Sequence, residues 1–210
     1  DIDAFAVQNA FETNYDPASN TTVALLNIGA SIMNILVARG GTPLFTRDVS
    51  VGGNQFTDAL QKEMNLSFEE AEQVKKGKLI EGVQTESVSS LMQSVSEVLL
   101  LEIQKTFDFF RATTGGEQLQ RVYVSGGCAK VEGFLDLLQA RLGLPVEMLD
   151  PFKNIAIGKD DAVGRNDEPV RLLDVGGQPR HRPVRIDAID RLVIEFTLLR
   201  ADIARIGKKN

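Results

Sequence analysis

Between residues 22 and 53 the apolar positions come in short blocks separated by glycine. The run Val23-Ala-Leu-Leu26 is apolar on both faces, the pattern of a central strand. Gly29 follows at once, where the backbone can turn or approach a ligand with no Cβ in the way. A second apolar block spans 32–38, Gly40 and Gly41 mark a hairpin turn, and 43–49 reads as a third strand. Ser50-Val-Gly-Gly53 opens a helix whose apolar face is Phe56, Ala59, Leu60 and Met64. The unit exposes backbone N–H groups at glycine turns, and such turns can cradle phosphate.

Elsewhere the period is mostly helical. Phe5, Val7, Ala10 and Phe11 give 3–13 a helical spacing, and 14–20 reads as a turn-rich linker. Ser67 and Glu70 have capping-box spacing, which predicts a helix over 68–76 that Gly77 ends. A long amphipathic helix is predicted over 87–113, stopped by Gly115 and Gly116. Residues 121–127 form a strand running into a second double-glycine turn, followed by a helix over 130–142 and a short strand over 145–151. That order is a βαβ unit with parallel pairing. Residues 157–185 are rich in Gly, Pro, Asp and Arg and read as irregular, while 187–206 regain helical periodicity.

Composition narrows the class. The 210 residues, 43% of them hydrophobic, fit one large or two small domains. No apolar run reaches the roughly 20 residues of a membrane span. The chain begins Asp1-Ile-Asp3 rather than with Met, which suggests a piece of a longer protein. A lone Cys128 fits a reducing compartment. The net charge of −6 argues against binding nucleic acid over the whole surface. Positive charge gathers in 180–209, which reads as a solvated helix face or a basic tail for an anionic surface.

Catalytic constellations are thin. His181 is the single histidine and lies in the irregular stretch, so no Ser/His or Cys/His arrangement is available, and no metal-spaced cluster appears. What remains is the pair of glycine turns, near Gly29 and at Gly126-Gly127. Each follows an apolar strand, and turns at the carboxyl ends of strands converge on one crevice in a doubly wound sheet. Phosphate is expected at the first turn, with base and ribose at the second, the two facing each other across an opening. Glu72 and Lys75 lie one helical turn apart. They form either a surface ion pair, the common case, or a pair that reaches a ribose or a base edge.

Four stretches in this order resemble the PilM family of type IV pilus assembly proteins, within the actin/FtsA-like superfamily. They are Asn27-Ile-Gly-Ala-Ser-Ile-Met-Asn-Ile35, Leu44-Phe-Thr-Arg-Asp-Val-Ser-Val-Gly-Gly53, Ala71-Glu-Gln-Val-Lys75 and Val124-Ser-Gly-Gly-Cys-Ala129. The resemblance covers about 1–152, and residues from 158 onward carry no matching motif. It implies an α/β chain with an actin-like (ribonuclease H-like) ATPase fold, mainly the second lobe. On that reading 1–20 end the first lobe and its linker, and 21–152 form the nucleotide-binding lobe. Residues 153–186 are then an irregular linker, and 187–210 a helix of unassigned origin.

The same resemblance implies roles for residues. Asn27, Gly29 and Ala30 match a phosphate-binding turn, Gly52 and Gly53 the glycine pair before the lobe's helix, Glu72 and Lys75 the ribose and adenine contacts. Ser125, Gly126 and Gly127 match the adenosine motif. The implied cofactor is ATP with Mg2+. The implied partners are the cytoplasmic N-terminus of PilN and other platform proteins at the inner membrane, in the machinery of pilus extension and retraction. Two features depart from the superfamily pattern. Its first phosphate hairpin and the subdomain supplying a PilN groove have no counterpart in this sequence. Position 27 is Asn where many actin-like ATPases carry Asp, and a neutral amide holds a metal-bound water less well than a carboxylate, so hydrolysis is expected to be slow or absent. Other readings are a working ATPase, the actin-like domain of a type II secretion protein of the GspL kind, and a protein-docking half-domain without nucleotide. The Phe-Thr-Arg-Asp and Gly-Gly-Asn-Gln stretches favour PilM over the GspL kind.

Overall fold

β1 (Thr22–Ile28) is buried at every position because it is the middle strand of the sheet. The computed structural model describes residues 3–15 and 20–154. In them the sheet has the order β3-β2-β1-β4-β5. β2 (Met33–Arg39) and β3 (Thr42–Val49) add antiparallel on one side of β1. On the other side β4 (Arg121–Ser125) and β5 (Val146–Met148) add in parallel. The expected hairpins account for β3-β2-β1 and the expected βαβ crossover for β4-β5, while the parallel pairing of β1 with β4 joins the two halves.

Both sheet faces are covered, by different helices. Ala24, Leu26 and Ile28 of β1, with Ile35, Val37, Val122 and Val124, pack under α2 (Asn54–Met64), α4 (Thr85–Thr113) and α5 (Phe134–Leu142). Phe56, Phe107, Phe110 and Phe134 fill that layer. The alternate residues Val23, Leu25, Leu36 and Tyr123 meet Val7, Ala10 and Phe11 of α1 (Asp3–Asn14). Side chains alternate along a strand, so Asn27, Asn34 and Ser125 continue the row on the α1 side, at the end where β1 and β4 finish. β3 is an edge strand and mostly exposed.

Two elements differ from expectation. The helix anticipated over 130–142 is split into a 3-10 turn, Gly127–Lys130, and α5, because Gly133 adopts φ 72° between them. Asn14 closes α1 instead of opening a linker. Its Nδ2 donates to Ala10 O at 2.9 Å and to Pro151 O at 2.6 Å, while its Oδ1 accepts from Asn154 N at 2.9 Å. α3 (Phe68–Lys75) begins with the expected capping box between Ser67 and Glu70, and the hydrogen bonds from Ser67 hold the Glu70 carboxyl below its ordinary range. No helix among the described residues is long and apolar enough to cross a membrane. The irregular stretch 157–185, the helix expected over 187–206 and His181 lie outside the described residues.

Candidate functional site

The carboxyl ends of β1 and β4 lie side by side, with Asn27 opposite Ser125 in the parallel register. The two glycine turns therefore leave the same edge of the sheet and touch each other. They do not face one another across an opening, as the sequence suggested. A Cβ on Gly126 would lie 2.4 Å from Ile28 O, and Gly126 has φ 89°, so only glycine fits there. Gly127 differs. Its φ is not positive, it is exposed, and a Cβ there would meet nothing within 4 Å. In the first turn Gly29 N–H donates to Ile32 O at 3.0 Å. Among the described residues the N–H groups of Ala30 and Ser31 make no hydrogen bond, and both residues are exposed.

Gly52 and Gly53 stitch α2 to that first turn. Gly53 N donates to Gly29 O at 2.9 Å and Asn54 N to Ala30 O at 2.8 Å. A Cβ on Gly52 would fall 2.5 Å from Gly29 O. Gly52 is glycine because two backbones pass in contact, whereas a Cβ on Gly53 would meet the Cys128 side chain, and the Gly53 N–H is already committed.

A four-strand ladder of polar side chains runs beneath the turns. Ser125 Oγ lies 3.3 Å from Asn27 Oδ1, Asn27 Nδ2 donates to Asn34 Oδ1 at 3.0 Å, and Asn34 Nδ2 donates to Asp48 Oδ1 at 2.8 Å. Each pair is in register across neighbouring strands. Asn27 and Asn34 are buried, so the ladder satisfies amides that would otherwise be costly.

Glu72 and Lys75 are not a surface pair. Lys75 Nζ donates to Glu72 Oε1, to Thr57 Oγ1 at 2.9 Å and to Gly53 O at 3.4 Å, and Thr57 Oγ1 donates to the same Glu72 oxygen at 2.5 Å. Burial pushes the Glu72 carboxyl upward. The bonds from Lys75 and Thr57, with the charges of Lys75 and Lys76, outweigh it and leave the group below its ordinary range. Cys128 Sγ sits between the turns, 3.7 Å from Gly29 O and 2.9 Å from where a Gly53 Cβ would be. Burial pushes its thiol up to about 11. A cavity of about 630 Å³ opens beside Lys75 and is walled by Lys76, Lys78, Val88, Met92, Lys130 and Gly133 among others.

The profile of the family described as "Type IV pilus assembly protein PilM" matches residues 1–173. The chain belongs to the PilM family. The match runs past 152, so the stretch 158–173, which carried no motif to the eye, lies within the family's span. Among solved structures the chain resembles a PilM-PilN type IV pilus biogenesis complex at 26% identity and TM-score 0.67, covering 76% of this chain and 45% of that one. It also resembles the ethanolamine utilization protein EutJ from Carboxydothermus hydrogenoformans (24% identity, TM-score 0.54, 70% and 47% covered). A third is MreB5 of Spiroplasma citri bound to ADP (15% identity, TM-score 0.55, 73% and 56% covered). These likenesses give the chain an actin-like α/β fold. It spans about half the length of the solved structures it matches.

The residues singled out in the sequence come together here. Gly29 and Ala30 touch Gly52, Gly29 and Lys75 touch Gly53, and Ser125 and Gly126 touch Asn27. Gly127 stands at the open side. Sequence reasoning missed Thr57, Asn34 and Asp48. Thr57 sits one residue after Phe56 on α2, and nothing in helical spacing marks it. Asn34 and Asp48 carried a usable signal, since antiparallel hairpin register with Asn27 places all three in one row.

Proposed function

We propose that this chain is the nucleotide-binding part of an actin-like scaffold in the type IV pilus assembly platform, and that ATP with Mg2+ occupies the junction of the two glycine turns. The phosphates lie against the free N–H groups of Ala30 and Ser31, beside Gly29 and over Asn27. Ribose and base lie over Ser125, Gly126 and Gly127, with Glu72 and Lys75 facing the ribose and the adjoining cavity taking the adenine. Gly52 and Gly53 hold α2 against the first turn. The residues fit such a ligand: two donors stand unused at the first turn, and the Gly127 Cβ position is empty where the fold itself does not require glycine. Among the described residues no group of three His, Cys, Asp or Glu is placed to hold a metal, so Mg2+ would be carried by the phosphates and its own waters. The ion would neutralise phosphate charge, and Asn27 supplies only a neutral amide, so binding rather than turnover is the expected role.

The observation that carries this reading is Gly127, a glycine at the mouth of two abutting turns with neither a positive φ nor a neighbour to explain it. The shared fold holds ADP in Spiroplasma citri MreB5, and the PilM-PilN complex supports the cytoplasmic N-terminus of PilN as partner. A place at the cytoplasmic face of the inner membrane, serving twitching motility, follows from that partnership. Titration calorimetry of the full-length protein with Mg·ATP tests the proposal. Saturable heat is expected, and heat no greater than dilution overturns it.

A further inference from the structure

The polar ladder has one free choice, its direction, and only one of its members can make that choice. Ser125, Asn27 and Asn34 each carry both a donor and an acceptor, whereas the Asp48 carboxylate accepts only. Asn34 must therefore donate Nδ2 to Asp48, at 2.8 Å. That leaves Asn34 Oδ1 to accept from Asn27 Nδ2, at 3.0 Å. Asn27 Oδ1 is then turned away from β2, toward Ser125 Oγ and to within 2.9 Å of where a Gly126 Cβ would be. Reversing either amide would set oxygen against oxygen or N–H against N–H at the buried Asn27 and Asn34, so the acceptor at Asp48, exposed on the edge strand, fixes the direction inward.

We propose that Asp48 is a positioning residue, which through Asn34 presents the oxygen of Asn27, not its nitrogen, at the junction of the two turns. There the oxygen accepts from a water of the magnesium–nucleotide complex. This rests on the nucleotide reading for its ligand. A second consequence concerns only the chain. Asn34 has one donor end and one acceptor end along the row, so it satisfies an acid at 48 or an acid at 27, never both. The amide at 27 and the carboxylate at 48 belong together, and a chain with acid at 27 needs a donor at 48.

Two measurements on the full-length protein test this. The first is ATP affinity with and without Mg2+. Asp48→Asn frees the ladder to reverse and put N–H at the junction. The advantage Mg2+ gives to ATP binding should then fall on the order of tenfold, the scale of one charge-assisted hydrogen bond. ATP affinity in EDTA and the melting temperature should stay near wild type, and Asp48→Glu should restore the Mg2+ advantage. The second is a thermal cycle. Asn27→Asp should lower the melting temperature by several degrees, because two carboxylates compete for one Asn34 donor. Asn27→Asp with Asp48→Asn should recover most of that loss. A Mg2+ advantage unchanged by Asp48→Asn overturns the positioning role, and melting shifts that simply add overturn the directed ladder. A wild type that gives no ATP heat overturns the nucleotide reading itself, a distinct outcome because it appears before any substitution.

Discussion

Thr57 Oγ1 donates to Glu72 Oε1 at 2.5 Å while accepting from Lys75 Nζ at 2.9 Å, which makes a threonine on α2 the third corner of the Glu72–Lys75 pair. Thr57 is fully buried, and its hydroxyl fixes where the Glu72 carboxylate stands against α2. Thr57→Val keeps the shape and removes both bonds. It should cost about 1–2 kcal/mol in urea unfolding, the scale of an unmade partly buried hydrogen bond, whereas Thr57→Ser should retain the network. A valine variant as stable as wild type would place the hydroxyl outside it.

The same network sets a pH dependence. The folded Glu72 carboxyl lies below its ordinary value of 4.5, so the unfolded chain takes up a proton there first as pH falls. Glu72 therefore adds stability that is fully present above about pH 4.5 and is lost as pH drops through the lower folded value. Glu72→Gln should show a shallower loss of stability from pH 6 to pH 3 than wild type. Parallel curves would mean that Lys75 and Thr57 do not favour the charged form. On the nucleotide reading Glu72→Ala also weakens ATP binding, and unchanged affinity would remove Glu72 from the ribose.

Much of this site was legible because glycine and strand patterns report backbone geometry directly. The run Val23–Leu26, apolar on both faces, marks a central strand, and glycine after two parallel strands puts both turns at one edge. What escaped was of two kinds. Thr57 became important through a contact between α2 and α3, which local periodicity does not encode. The apposition of the turns was also misjudged, because β1 and β4 are direct neighbours and nothing in the sequence states how far apart two strands lie. The split at Gly133 shows the same limit, since helical spacing of Phe134, Leu135 and Leu138 does not say where the helix starts.

Cys128 and Gly53 are set against each other. A Cβ on Gly53 would fall 2.9 Å from Cys128 Sγ, and one on Gly52 would fall 2.5 Å from the backbone oxygen of Gly29. A side chain can be trimmed and a backbone cannot. Gly53→Ala should lower stability by about 1–3 kcal/mol as an overpacking change, and adding Cys128→Ala should recover part of that loss. Gly52→Ala should not be rescued this way. Because burial raises the Cys128 thiol to about 11, iodoacetamide at pH 8 should label the native protein far more slowly than the unfolded one. Equal labelling rates would contradict the packing between the turns.

Gly126 and Gly127 are adjacent and identical in the sequence, yet the fold asks different things of them. At Gly126 an added Cβ meets Ile28 O at 2.4 Å and the backbone has φ 89°. Gly126→Ala should therefore destabilise by roughly 3 kcal/mol or more, since a positive φ and a backbone clash both act. At Gly127 an added Cβ meets open space, and Gly127→Ala should leave unfolding within about 0.5 kcal/mol of wild type. If the space belongs to a nucleotide, that stable variant should bind ATP at least about tenfold more weakly, through a methyl placed where the ligand must pass. Calorimetric titration of Gly127→Ala beside its unfolding curve separates the two requirements. Wild-type affinity in a fully folded Gly127→Ala protein would show that the open side of the second turn is not where the ligand lies.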